Sequence, residues 1–301
     1  MTGAPPPDEP PTLTADEPPT LTADDIGVAA VTESPLSAEQ AWRVAALLDR
    51  DDEPSSLAEG DALPLLWHWA FFAPVVPTTR LGADGHPRLA EGGPTSGLPR
   101  RMWAGGRVTM DGALVVGRPA TRRSEVVSAE RKTGRSGDLL VVTARHRIEQ
   151  DGRVLLTEEQ DLVYRAHPAP APGATVAEAP AGEVRPDAPD GGWADTYVAG
   201  PLTLFRYSAA TWNSHRIHYD RPYAMTEEGY PGLVVHGPLT ATLLVESARR
   251  RGVAGRSFSF RAAAPLFAEI PFTLVGRPDG EGTELTAVRN DGTVAMTARL
   301  D

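Results

Sequence analysis

The 301-residue chain has no cysteine. That excludes a disulfide, a thiolate metal site and a cysteine nucleophile. It has a single lysine, Lys132, so nearly all of its basic residues are arginine. No basic stripe is present to neutralise phosphates, and nucleic-acid binding is not expected. No run of 18 or more apolar residues occurs, so no membrane-spanning helix is expected. The N-terminus has neither a basic region nor an apolar core, so it does not read as a secretory signal. The expected location is the cytoplasm.

What remains is a globular composition, 41% hydrophobic and 23% charged. The net charge is −11, of which residues 1–35 carry −7 with no balancing Lys or Arg. That segment is Pro-rich and holds the octet Glu-Pro-Pro-Thr-Leu-Thr-Ala-Asp twice, at Glu9–Asp16 and Glu17–Asp24. It has too little apolar surface to fold and reads as a disordered tail, residues 1–36. A second Pro/Ala-rich stretch, 167–192, reads as a linker containing Pro168, Pro170, Pro172, Pro180, Pro186 and Pro189. Two folded units follow, 37–166 and 193–301.

Ser37 and Gln40 have the spacing of a helix-opening capping box. A further helix is expected over Ala62–Phe72. The pattern then changes to strands, at Arg107–Met110, Glu125–Ala129, Leu139–Arg147 and Val154–Tyr164. In the second unit Tyr197–Tyr207 reads as a strand or lead-in segment. Gly237–Arg251 reads as a strong helix, with Pro238 in its first turn and Gly252 as its stop. Four strands follow, at Ser257–Ala262, Ile270–Gly276, Thr283–Arg289 and Thr293–Leu300, with a tight turn at Asn290-Asp291-Gly292. Each unit thus runs from helix to antiparallel strands. Asp61–Phe72 matches Gly237–Arg251, and Val108–Gly117 matches Phe258–Glu269. This is an internal repeat of about 120 residues and an α+β arrangement.

The chemistry concentrates between 206 and 240. His215, His218 and His236, three of the seven histidines, fall within 22 positions beside Asn213 and Asp220. Histidine supplies a general acid or base near neutral pH. The helix opening at Gly237 offers unpaired backbone N–H groups that can hold developing negative charge. Gly237 lacks a Cβ, so a substrate could come close to its backbone. His215, His218 and Asp220 could also be read as metal ligands, but a fourth ligand and a rigid surround are not apparent. Ser208 and Thr211 lack the Gly-x-Ser-x-Gly setting of a serine hydrolase.

The run Asn213-x-x-x-x-His218-x-Asp220, followed by Val234-Val235-His236-Gly237-Pro238-Leu239-Thr240, resembles the hydratase motif of MaoC-like hotdog proteins. Leu98–Gly106 and Thr157–Asp161 resemble the dehydratase-like first halves of the double-length branch, particularly mesaconyl-C4-CoA (3-methylfumaryl-CoA) hydratases. The resemblance implies a double hotdog, two long helices each wrapped by a curled antiparallel sheet, packed as a pseudo-dimer with only the second half catalytic. It implies an acyl-CoA or carrier-bound substrate, reversible water addition to a 2-enoyl thioester, and no metal or organic cofactor. His218 would move the proton, Asn213 would orient water, and the Gly237 N–H would hold the thioester oxygen. His215, Arg216, Asp220, Arg221 and His236 are pocket candidates, Arg216 or Arg221 as a clamp for a free carboxylate. Short hydratases of the family carry Asp where this chain has Asn213, and Asn cannot accept the proton of water. Dehydration of a carrier-bound 3-hydroxyacyl chain, a thioesterase and a non-catalytic thioester-binding protein are the alternatives. Either a monomeric pseudo-dimer or a homo-oligomer fits.

Overall fold

The computed structural model describes residues 21–26, 28–50, 57–89, 93, 95–134, 137–166 and 177–301. Its centre is one antiparallel sheet of ten strands. The first half contributes β1 (Val31–Ser34), β2 (Arg100–Met110), β3 (Ala120–Gly134), β4 (Gly137–Gln150) and β5 (Arg153–Arg165). The second contributes β6 (Trp193–Tyr197), β7 (Ser257–Ala262), β8 (Phe272–Asp279), β9 (Gly282–Arg289) and β10 (Val294–Leu300). The order is β1-β3-β4-β5-β2-β7-β10-β9-β8-β6. Read inward from either edge, each half places its first, third, fourth, fifth and second strands in the same succession. The internal repeat is therefore a repeat of topology, and the halves meet at β2 and β7, where Val108 pairs with Phe258.

Period-two burial makes these strands. Along β4, Leu140, Val142, Ala144, His146, Ile148 and Gln150 turn inward in strict alternation. At the seam β2 must come close to its neighbours. A Cβ on Gly105 would lie 2.7 Å from the Phe260 carbonyl oxygen, and one on Gly106 2.5 Å from that of Glu159. Only glycine permits this approach.

The described residues form four α-helices: α1 (Ala38–Leu47), α2 (Pro201–Thr211), α3 (Arg221–Thr226) and α4 (Gly237–Arg249). The α1 helix starts as expected, with the Ser37 hydroxyl accepting from the Gln40 N–H. The Gln40 amide does not close a capping box; it donates to the Ala70 and Ala210 carbonyls, tying α1 to the second half. Every residue of α4 from Leu239 to Ala248 is buried, and the helix packs on β8, β9 and β10. This is the helix-in-sheet arrangement of a hotdog. No helix among the described residues is long and apolar enough to cross a membrane.

Three expectations need correction. Ala62–Phe72 is not a helix matching α4 but holds one 3-10 turn, Trp67–Ala70. Pro64 interrupts helical hydrogen bonding, and Leu66 takes a left-handed conformation at φ 69°. Tyr197–Tyr207 is split between the end of β6 and most of α2, with Pro201 at the helix start. The tail does not reach residue 36. Residues 1–20 lie outside the described residues, but Leu21 and Ile26 are buried and β1 pairs with β3. Of the linker, 167–176 with Pro168, Pro170 and Pro172 lie outside the described residues. Residues 177–192 run without regular structure along the second half, where the Asn290 amide donates to the Pro180 and Gly182 carbonyls.

Candidate active site

The segment after α2 folds through its own short-range bonds. Trp212 adopts a left-handed conformation (φ 53°) that ends the helix. The Asn213 N–H then donates to the Ser208 carbonyl at 2.8 Å. Its side-chain oxygen accepts from the His215 N–H at 3.0 Å, an Asx turn that leaves only the NH2 group for other partners. A 3-10 turn, Arg216–His218, carries the histidine inward.

His218 is 7% exposed, and its Nδ1 lies 2.7 Å from the Val234 carbonyl oxygen. A carbonyl can only accept, so Nδ1 carries the proton and Nε2 keeps its lone pair. Burial holds the ring down to about pKa 4, partly opposed by that carbonyl. The imidazole is therefore neutral at pH 7 and competent as a base. Its face stacks on His236 at 3.6 Å, and its edge meets His215 at 5.5 Å. His215 in turn packs on His86 of the first half at 4.2 Å. Burial, then electrostatic coupling to His218, Arg101 and Arg100, pushes His215 down to about 3.

The α4 helix opens against the same space. Gly237 is its first residue and offers an N–H with no intrahelical acceptor, while Pro238 offers none. The absence of a Cβ at Gly237 serves packing. A Cβ there would lie 2.7 Å from the Trp103 ring, which reaches across from β2.

These groups border a cavity of about 1050 Å³ between the halves. Asn213, His215, His218 and Gly237 line it. Arg216, Asp220, Arg221 and His236 do not. Asp220 caps α3 through the Tyr223 N–H and pairs with Arg216 at 2.6 Å, and Arg216 stacks on the Tyr223 ring. Arg221 is exposed and reaches Glu269 at 3.4 Å. His236 is fully buried behind His218, 2.9 Å from the Ser208 hydroxyl.

The first half supplies the cavity residues that the sequence reading missed. Arg100, Arg101, Arg122, His146 and Trp69 are among them. Arg100 and Arg101 stood inside the quoted Leu98–Gly106 run without an assigned role. Behind the wall, buried Glu158 bonds His68 at 3.0 Å and Trp69 at 2.7 Å.

A cation site is not favoured. Ligand atoms of Asp84, His86 and His215 lie within 4.8 Å of one another. However, the Arg101 guanidinium donates to His86 Nδ1 at 2.9 Å, placing a fixed positive charge on that group.

Residues 66–268 match the family model described as hydroxyacyl-thioester dehydratase type 2. The chain is 44% identical over 280 residues to the mesaconyl-C(4)-CoA hydratase of Chloroflexus aurantiacus, covering 92% of this chain and 96% of that one. The fold is similar to that of a MaoC-like dehydratase from Phytophthora capsici, with TM-score 0.66 and 14% identity over 90% of this chain and 94% of that one. It is also similar to a Mycobacterium tuberculosis protein with a double hotdog fold, with TM-score 0.55 and 14% identity over 93% and 97% of the two chains. The chain belongs to the hydroxyacyl-thioester dehydratase type 2 family of MaoC-like double-hotdog hydro-lyases.

Proposed function

We propose that the cavity adds water reversibly to the double bond of a 2-enoyl-CoA, with conversion of mesaconyl-C4-CoA to citramalyl-CoA as the reaction. The observation that carries this is His218, a buried neutral imidazole on the cavity wall whose Nδ1 is committed to Val234 and whose Nε2 is left basic. The substrate follows from the 44% identity, over nearly the whole of both chains, to a hydratase of that ester.

In mesaconyl-C4-CoA the thioester carbonyl is C4, so C3 is α and C2, bearing a methyl group and the free C1 carboxylate, is β. His218 Nε2 takes a proton from water as the oxygen bonds to C2. The C2=C3 electron pair moves toward the carbonyl, and the enolate oxygen is held by the Gly237 N–H at the positive end of α4. Such a donor contributes about 3–4 kcal/mol to the transition state. His218 then returns its proton to C3. Asn213, its oxygen committed to His215, can donate to the water through Nδ2 but cannot deprotonate it. Every group used here comes from one chain.

The test is a mass-spectrometric assay of purified protein with mesaconyl-C4-CoA and crotonyl-CoA beside His218→Ala. A gain of one water that disappears in the variant is expected. Release of free CoA without water addition would indicate a thioesterase. An unchanged ester would leave a carrier-bound substrate or a binding role.

A further inference from the structure

The acyl group proposed above carries a carboxylate on the carbon that water attacks. Burying that charge unpaired would cost more than apolar contacts return. Four arginines line the cavity, and they differ in what already holds them. Arg100 is paired with Glu228 at 3.2 Å and donates to the Tyr230 hydroxyl. Arg88 is exposed and donates to the Leu81 carbonyl. Arg122 lies over Phe72, donates to Thr32 and feels the charge of buried Glu158. Arg101 donates to His86 Nδ1 at 2.9 Å and to the Ile26 carbonyl at 3.4 Å, both neutral acceptors. It forms no ion pair among the described residues. Asp84, on the same wall, turns an oxygen to the His86 N–H at 3.0 Å instead.

Arg101 also stands on the route to His218. His86, its partner, packs on His215, and His215 meets the edge of His218. A water between His218 and C2, with contacts of about 3 Å on each side, sets the C1 carboxylate roughly two contacts from the imidazole. The His218–His215 and His215–His86 ring centroids are 5.5 and 4.2 Å apart, and the Arg101 guanidinium lies against His86.

We infer that Arg101 receives the free carboxylate of the substrate and makes the site selective for monothioesters of dicarboxylic acids. This rests on the hydratase reading above. The guanidinium fork suits a carboxylate bidentately. A neutral His215 between Arg101 and His218 separates the anion-binding charge from the base.

Kinetic constants for mesaconyl-C4-CoA and crotonyl-CoA, which lacks the carboxylate, test the assignment in wild type, Arg101→Gln, Arg101→Lys and Arg122→Gln. Arg101→Gln is expected to lower kcat/KM for the dicarboxylic ester roughly a hundredfold and for crotonyl-CoA by less than about threefold. Arg101→Lys, keeping charge but losing the fork, should fall between, and it carries the comparison if the glutamine variant does not fold. Equal losses on both esters, or the selective loss appearing in Arg122→Gln instead, would overturn the assignment. Wild type that hydrates crotonyl-CoA but not mesaconyl-C4-CoA would overturn the substrate reading and this inference with it. Wild type active on mesaconyl-C4-CoA beside an unimpaired Arg101→Gln would overturn this inference alone.

Discussion

The imidazole of His236 lies flat against that of His218, with centroids 3.6 Å apart and planes 19° from parallel. One ring lines the cavity and the other is wholly buried, held by the Ser208 hydroxyl and packed on Tyr207. The proposed base is thus positioned by a histidine that the cavity does not reach. His236→Ala should lower kcat about ten- to a hundredfold with little change in KM, because a displaced base costs rate more than binding. His236→Phe, which restores a flat ring, should recover most of the loss. Unchanged kcat in His236→Ala would remove the positioning role.

The pH dependence follows from the direction of the His218 shift. Its folded pKa is lowered, by burial first, to about 4. A base acts only when unprotonated, so kcat/KM should stay level as pH falls through about 6.5 and decline only near 4. Stability has its own dependence. His86, His146, His215, His218 and His236 are all held below the usual histidine value by burial. The unfolded chain takes up protons at these positions before the folded one does. Their contribution is complete above about pH 6.5 and is lost toward their folded values, at about 1.4 kcal/mol per pH unit for each. Rates below about pH 5 are therefore best read after a rapid pH jump. An acid limb near 6.5 would show that His218 is not buried during turnover.

The elements legible in the sequence were those written locally. The inward run of β4, and the Pro238 and Gly252 that bracket α4 and its last turn, are patterns within a few residues. The constellation from Asn213 to Gly237 was legible for the same reason. The first-half contribution was not, because its contacts are distant in sequence: Arg101 meets His86 across 15 positions, and His86 meets His215 across the two halves that β2 and β7 join. Proximity in sequence also misled. Arg216 and Asp220 flank His218, yet their i,i+4 pairing turns both away from the cavity. The density of aromatics in Ala62–Phe72 reflects burial of Trp67 and Phe72, not a helix, since burial alone carries no period.

Asn213→Asp is an informative exchange at the site. The carboxylate can keep the bond from the His215 N–H, now 3.0 Å from the amide oxygen, and it replaces the NH2 group with an anionic oxygen. A negative charge beside His215 and His218 favours their protonated forms. The acid limb of kcat/KM should therefore move up by about one pH unit. A limb that stays in place would show that Asn213 does not reach the proton-transfer site.

The contact between Gly237 and Trp103 joins the N-terminal end of α4 to the other half of the chain. Gly237→Ala would put a methyl group 2.7 Å from Trp103 Cε3 and 3.1 Å from Cζ3. Trp103 cannot easily withdraw, since its ring stacks on Phe260 at 4.3 Å and meets Trp69 at 5.6 Å. Gly237 does not have a positive φ, so the cost is steric. Overpacking of this kind destabilises by about 1–3 kcal/mol. The N–H proposed to hold the thioester oxygen would shift with its residue, so kcat should fall as well. Trp103→Leu makes room for the methyl group. Combined with Gly237→Ala, it should be more stable than the sum of the two single changes predicts, a coupling read by a denaturant double-mutant cycle. Strict additivity would show that the two residues are not in contact in solution, and the tight seam between α4 and β2 would then not be what sets the position of the Gly237 N–H.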